Sequence, residues 1–455
     1  MILTTTAALQ INQMLRQASL ILVSILLAKS GLSTGDIGIF ESLLYIGTTV
    51  SFFWMNALLQ STLAEYASAE KPQKAQVKFN IFLVFNALSI IIFFILFFFK
   101  NQLLSFFIGQ TTLPYFELYC VYLLLNLPPI LLESFWAVEN TPLSILAYSL
   151  LSHVLLPLAI ILPIGLGFDL EYSILGMIEV AAVRYIWLII NILRNKNFKV
   201  DIKIIRSFLW LSLPLMCYSF LGGFTAAFSS WIINWYYEGD LHQFALFRYG
   251  AREFPLTLAL VTGLSSGIVP SLLRKDTDMI WEDETGKPFE EDETDKLYPL
   301  NAIGVFMLKF KSRQLLHWLF PMSIVLMLTS KWLFPLIFNP AFKESAAIFN
   351  IYLLLLISRA LFPQCILLAL KQTKTLLWVS IVETLLIVGL SFMFIFKVGT
   401  EGVVWATVIG YTFEKVALMV FLERKYGLGW KYYTDVTVFL GYSALLVLSY
   451  IIGLM

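Results

Sequence analysis

Long apolar runs separated by short polar breaks organise the whole chain. A helix needs about 20 consecutive, predominantly apolar residues to cross a bilayer. Runs of that length extend over residues 9 to 28, 37 to 60, 79 to 99, 114 to 137, 142 to 166, 172 to 193, 207 to 236, 243 to 272, 314 to 337, 345 to 370, 374 to 396, 401 to 421 and 435 to 454. They predict an all-α polytopic membrane protein of about thirteen spans. Pro128, Pro129, Pro157, Pro214 and Pro255 lie inside these runs and predict kinks that neighbouring helices must accommodate.

Composition points the same way. Of the 455 residues 59% are hydrophobic and 13% charged, whereas an ordinary globular domain carries about 25% charged residues. The surrounding medium is therefore mostly lipid. A net charge of +1 argues against nucleic acid or a charged polymer as the principal partner. Cys120, Cys217 and Cys365 lie inside apolar runs without metal or redox spacing. His153, His242 and His317 lie on separate runs or loops, so no histidine-based catalytic or metal cluster is expected.

No short charged region with a cleavage site precedes the first run, so that span is expected to direct insertion itself. Assigning the loops alternately to two sides places twenty Lys and Arg on one side, among them Lys78, Arg194, Arg274, Arg313, Lys371 and Arg424. The other side has five: Lys29, Lys100, Lys331, Lys343 and Lys397. Because cytoplasmic loops concentrate basic residues, the N-terminus is expected in the cytoplasm and the C-terminus outside. The long hydrophilic insert, Lys275 to Pro299, is acidic from Asp276 to Asp295 and too short for a catalytic domain. It reads either as a solvated cytoplasmic linker or as a partner-docking tail.

Gly35, Asp36, Ile37, Phe40 and Tyr45, after the first span, recur as Gly239, Asp240, Leu241, Phe244 and Tyr249, each pair 204 residues apart. A duplication of six helices places the second copy there. Because six is even, the halves share one orientation and surround a cavity, a design suited to alternating access. The expected domains are a six-helix lobe over residues 1–200, a second over 201–425 carrying the insert at 275–299, and an additional transmembrane helix over 426–455.

Three stretches carry a family likeness. The first span is followed by Leu32-Ser33-Thr34-Gly35-Asp36-Ile37-Gly38, and the eighth contains Arg248-Tyr249-Gly250-Ala251-Arg252 and Pro270. The third, Val398-Gly399-Thr400-Glu401-Gly402-Val403-Val404-Trp405-Ala406-Thr407, has the form Gly-x-x-Gly-x-x-x-Ala-Thr. In this layout the chain resembles the multidrug/oligosaccharidyl-lipid/polysaccharide flippase superfamily, and within it the bacterial polysaccharide or O-antigen flippases. The resemblance covers nearly the whole chain through its twelfth span; the thirteenth departs from it. It implies translocation of an undecaprenyl-diphosphate-linked oligosaccharide across a bacterial inner membrane by rocking of two six-helix lobes. The implied partners are that lipid-linked substrate, membrane lipids and a glycan polymerase or ligase.

Ionisable groups at membrane depth are expensive and usually face a wet cavity or a partner. In the first span Asn12 and Arg16, and likewise Gln13 and Gln17, are four residues apart, which stacks each pair on one side of the helix. Arg248 and Arg252 have the same spacing in the eighth. Guanidinium groups hold phosphate oxygens in bidentate fashion while staying charged. Asn12, Gln13, Arg16, Gln17, Arg248 and Arg252 are therefore the candidate pyrophosphate-binding and cavity residues. Related flippases for the cell-wall precursor carry cavity cations on their first and eighth spans, which the resemblance extends to Arg16, Arg248 and Arg252. The second span departs by offering Glu41 in place of a cation. Pairing of Arg248 and Arg252 with Glu253 or Glu41, or snorkelling to the outer interface, is the structural alternative.

Further intramembrane groups are Glu133, Glu139, His153, Glu179, Arg184, Arg359, Glu383, Glu414 and Lys415. Glu383 and Glu41 are the candidate ion-coupling carboxylates, for H+ or Na+. For Glu383 the alternative is a buried pair with Arg359. Glu179 with Arg184 and Glu414 with Lys415 read as structural or interfacial charges, and His153 as a hydrogen-bonded packing residue. No cofactor and no resident metal are expected. A cation-coupled multidrug antiporter would favour carboxylates and aromatics over arginines. A membrane glycosyltransferase, polymerase or ligase would need a large extramembrane loop or clustered Asp, Glu and His at one face. A scaffold role would leave the polar stripes unexplained.

Overall fold

A computed structural model of the protein describes residues 4–70, 72–194, 198–273 and 300–454. Among them every regular element is helical. Chain packing divides the protein into two compact units, Met1–Ala245 and Leu246–Met455. The lobes expected over 1–200 and 201–425 express a repeat relationship and stay an expectation. The acidic insert, Lys275 to Pro299, lies outside the described residues, as does the side chain of Pro270.

The first unit contains α1 (Thr5–Lys29), α2 (Thr34–Ser68), α3 (Lys74–Phe98), α4 (Lys100–Ile108), α5 (Phe116–Asn126), α6 (Leu131–Glu139), α7 (Pro142–Leu150), α8 (Leu156–Gly165), α9 (Leu170–Leu193) and α10 (Ile202–Tyr236). Helix α11 (Leu241–Gly250) spans the division. The second unit follows with α12 (Pro255–Leu273), α13 (Ala302–Ile337), α14 (Ser345–Leu353), α15 (Leu355–Arg359), α16 (Pro363–Ala369), α17 (Thr373–Val398), α18 (Thr400–Tyr426) and α19 (Val436–Leu454).

Ten of the described helical segments are long and apolar enough to span a membrane, and counting each of two bent pairs as one span gives up to twelve, against the thirteen expected. Those pairs are Ile202–Cys217 with Ser219–Tyr236, bent by 48°, and Ser345–Arg359 with Pro363–Ala369, bent by 41°. Pro214 inside the first pair and Pro363 at the start of the second helix of the other remove backbone donors where the chain turns. The eighth expected run, 243 to 272, is not one helix. It is α11 and α12, separated by non-helical residues 251–254. Pro255 restricts the residue before it and supplies a preset first turn to α12.

Local chemistry fixes the helix ends. Ser33 and Asp36 form a reciprocal capping box at the start of α2. Asp240 accepts from the His242 N–H at 2.8 Å at the start of α11, its repeat counterpart. The two repeated segments also touch. Thr34 Oγ1 and His242 Nδ1 are 2.6 Å apart, Tyr45 and Phe244 pack edge to face at 5.6 Å, and Gly38 lies against the Leu241 carbonyl where a side chain would collide.

In the second unit α17 and α18 form a close hairpin. Gly399 turns the chain with a φ of 66°, and a Cβ on Gly402 would lie 2.6 Å from the Phe394 carbonyl oxygen. The Gly-x-x-Gly pattern is thus a helix-packing device. The last helix, α19, is held to α13 by Arg313–Asp435 at 3.5 Å, by His317 and Tyr442 at 2.9 Å, and by the stacked rings of Phe320 and Tyr442. The outward faces are apolar, with Trp210, Trp318 and Trp332 each more than 70% exposed, as a lipid environment requires.

Candidate functional site

The first unit buries a polar cluster around Asn12, which is fully inaccessible. Its amide donates to Glu133 Oε2 at 2.8 Å, and its carbonyl oxygen accepts from Ser149 Oγ at 2.8 Å and lies 3.1 Å from His153 Nε2. Residues Leu151–Leu155, between α7 and α8, form one π-helical turn that carries His153. Such a turn widens the helix and redirects one side chain, here toward α1. Beside it the buried Arg184 of α9 donates from Nε to the Tyr148 hydroxyl at 3.1 Å and from Nη1 to Asn126 Oδ1 at 2.6 Å. Its guanidinium also covers the Tyr148 ring at 4.9 Å. Arg184 therefore takes a tyrosine and an asparagine as partners rather than Glu179, which is exposed.

Arg16 lies one turn beyond Asn12 on α1, half-buried, and donates to the side-chain oxygen of Gln13. Among the described residues its guanidinium makes no ion pair. Gln13 is exposed and Gln17 half-buried on the same helix. Asn12, by contrast, is fully buried and spends its amide on Glu133, Ser149 and His153, which fixes the position of α1. Glu41 is buried within α2. Glu139 is a structural acceptor: Lys78 Nζ lies 2.6 Å and the Tyr66 hydroxyl 2.7 Å from its Oε1.

The second unit has its own cluster. Arg248 lies in the last turn of α11, whereas Arg252 lies in the break beyond it. Arg252 Nε folds back onto the Arg248 carbonyl at 3.1 Å and its guanidinium covers the Tyr249 ring at 4.9 Å. The two arginines therefore do not project as a single helical stripe. Glu253 pairs with Arg359 at 2.5 Å, and Arg359 covers the Tyr411 ring at 4.4 Å. Sequence spacing offered Glu253 to Arg248 or Arg252, and Arg359 to Glu383; the fold joins the other members of those pairs. Nothing within a local window signals a pairing across 106 positions. Glu383 is 6% exposed on α17 and has no hydrogen bond or ion pair among the described residues. Glu414 and Lys415 form a buried pair at 3.1 Å, with Gln364 donating to Glu414. Among the described residues no group of His, Cys, Asp and Glu is arranged to hold a metal ion.

No protein-family model matches the sequence, and no curated protein does. Solved structures do. The chain aligns over 99% of its length, and 92% of the other, with the lipid II flippase MurJ in an inward closed conformation, at a TM-score of 0.67 and 16% identity. The fold is that of the MOP superfamily. A multidrug resistance MATE family transporter of that superfamily in its inward-facing conformation gives a TM-score of 0.59 at 16% identity, over 97% of this chain and 99% of the other. A MOP superfamily transporter from Pyrococcus furiosus gives 0.61 at 12% identity, over 93% and 95%. At these identities the likeness shows the helical fold and nothing finer.

Proposed function

We propose that the chain is a flippase that translocates an undecaprenyl-diphosphate-linked oligosaccharide or polysaccharide precursor across a bacterial inner membrane by alternating access. The N-terminus lies in the cytoplasm and the C-terminus on the periplasmic side. The observation that carries this reading is Arg16: a half-buried guanidinium inside a membrane span, engaged by a neutral amide and by no carboxylate at ion-pair distance among the described residues. A permanent positive charge at membrane depth is costly unless an anion or water meets it. The diphosphate of a lipid-linked sugar supplies that anion, and a guanidinium binds it through paired donors. Arg248 and Arg252 add cationic groups in the second unit, and the likeness to a lipid II flippase supports a lipid-linked cargo.

A cation-coupled multidrug antiporter is the second reading. Glu383 favours it, as a buried carboxylate with no ion-pair partner among the described residues, and so does the likeness to MATE transporters. Reconstituted vesicles separate the two. Protein-dependent exposure of a vesicle-enclosed lipid-diphosphate oligosaccharide to an impermeant periodate reagent, lost in Arg16→Ala, supports flipping. Absence of exposure, together with uptake of a cationic dye under a pH gradient, rejects it in favour of antiport.

A further inference from the structure

Glu253, Ser323 and Arg359 line one narrow cavity in the second unit, with Tyr352, Leu355 and Leu356 around them. Ser323 is fully buried, and its Oγ has no hydrogen-bond partner among the described residues. The same holds for Glu253 Oε2 and Arg359 Nε, the atoms left over by the Oε1–Nη2 ion pair. Three unpartnered polar atoms therefore share one cavity. Hydroxyls elsewhere in α13 turn back onto their own helix, as Thr329 does to Val325 and Ser330 to Met327; Ser323 does not. Pro321, two residues before it, also removes a backbone hydrogen bond from α13. Leaving buried donors and acceptors unmade at a weakened point of a helix is unfavourable unless something meets them.

The carboxylate and guanidinium cancel in charge, so the site favours neither cation nor anion. Its atoms offer one N–H donor, one carboxylate acceptor and one hydroxyl that can do either. The complementary species is small, neutral and both donor and acceptor. The cavity has room for about one water molecule, and a buried water typically makes about three hydrogen bonds. We propose that this cavity is a binding site for a water molecule held by Glu253 Oε2, Arg359 Nε and Ser323 Oγ, which ties α13 beside Pro321 to the Glu253–Arg359 pair. This holds whatever the chain transports.

Two measurements on the full-length protein in nanodiscs test it. Ser323→Ala removes one partner of the water, which predicts a fall in Tm of about 2–4 °C. It also predicts non-additivity with Glu253→Gln, although no direct hydrogen bond joins the two side chains. A hydroxyl that meets nothing predicts the opposite: Tm unchanged or raised by Ser323→Ala, and additive effects. If the variants cannot be purified, pulsed X-ray hydroxyl-radical labelling of the unmodified protein decides. A bound water predicts oxidation of the buried Leu355 and Leu356 above that of the equally buried Leu319 and Ile348, and equal labelling overturns the proposal.

Discussion

Asn12 of α1 donates to Glu133 of α6 at 2.8 Å, across 121 positions of sequence. With Ser149 and His153 on the same asparagine, one side chain fixes α1 against α6, α7 and the π-turn. Replacing it by leucine strands the half-buried Glu133 carboxylate, at about 1–3 kcal/mol, whereas Ser149 keeps the Ile145 carbonyl at 2.7 Å. Asn12→Leu is expected to lower the Tm of purified protein and its yield in the membrane fraction. An unchanged melting curve would show that the cluster does not hold the unit together.

Two helical glycines make opposite predictions. A Cβ at Gly402 meets the Phe394 carbonyl at 2.6 Å, whereas nothing lies within 4 Å of a Cβ at Gly389 on the neighbouring helix. Gly402→Ala is expected to force α17 and α18 apart at about 1–3 kcal/mol. Gly389→Ala gains helix propensity of about 0.5–1 kcal/mol. Melting curves of the two variants should shift in opposite directions.

Glu253 and Glu383 are both buried or half-buried carboxylates, but only Glu253 has a cation at 2.5 Å. Glu253→Gln leaves the half-buried Arg359 without its anion, a loss of about 1–3 kcal/mol, below that of a fully buried pair. Glu383→Gln removes a charge from a poorly solvated place without breaking a contact, so Tm is expected to hold or rise. If Glu383 couples transport to an ion gradient, the same variant loses gradient dependence while remaining folded. Thermal stability and gradient-driven transport, measured side by side, separate the structural carboxylate from the coupling one.

Much of this architecture is legible from apolar run length, because each span is a local feature and the bilayer sets its size. The kink near Pro214 and the polar stripe of α1 are local as well. The break at residues 251–254 is also written locally, as Gly250, the charged pair Arg252 and Glu253, and Pro255, but a search for long apolar runs passes over it and joins 243 to 272 as one span. Partner choice is not local at all. Arg184 selects Tyr148 and Asn126, and Arg359 selects Glu253, because helix packing brings those groups together. Asn12 looks like a ligand-facing residue from its spacing to Arg16, yet packing against α6 and α7 buries it completely.

The account turns on whether the cationic residues serve a lipid-linked diphosphate. The most direct measurement is the distribution of lipid-linked glycan between the two membrane faces in cells lacking the protein, complemented with wild type or with Arg16→Ala plus Arg252→Ala. The flippase reading predicts accumulation on the cytoplasmic face that wild type relieves and the double variant, present at equal level, does not. Normal glycan orientation in cells without the protein would contradict it.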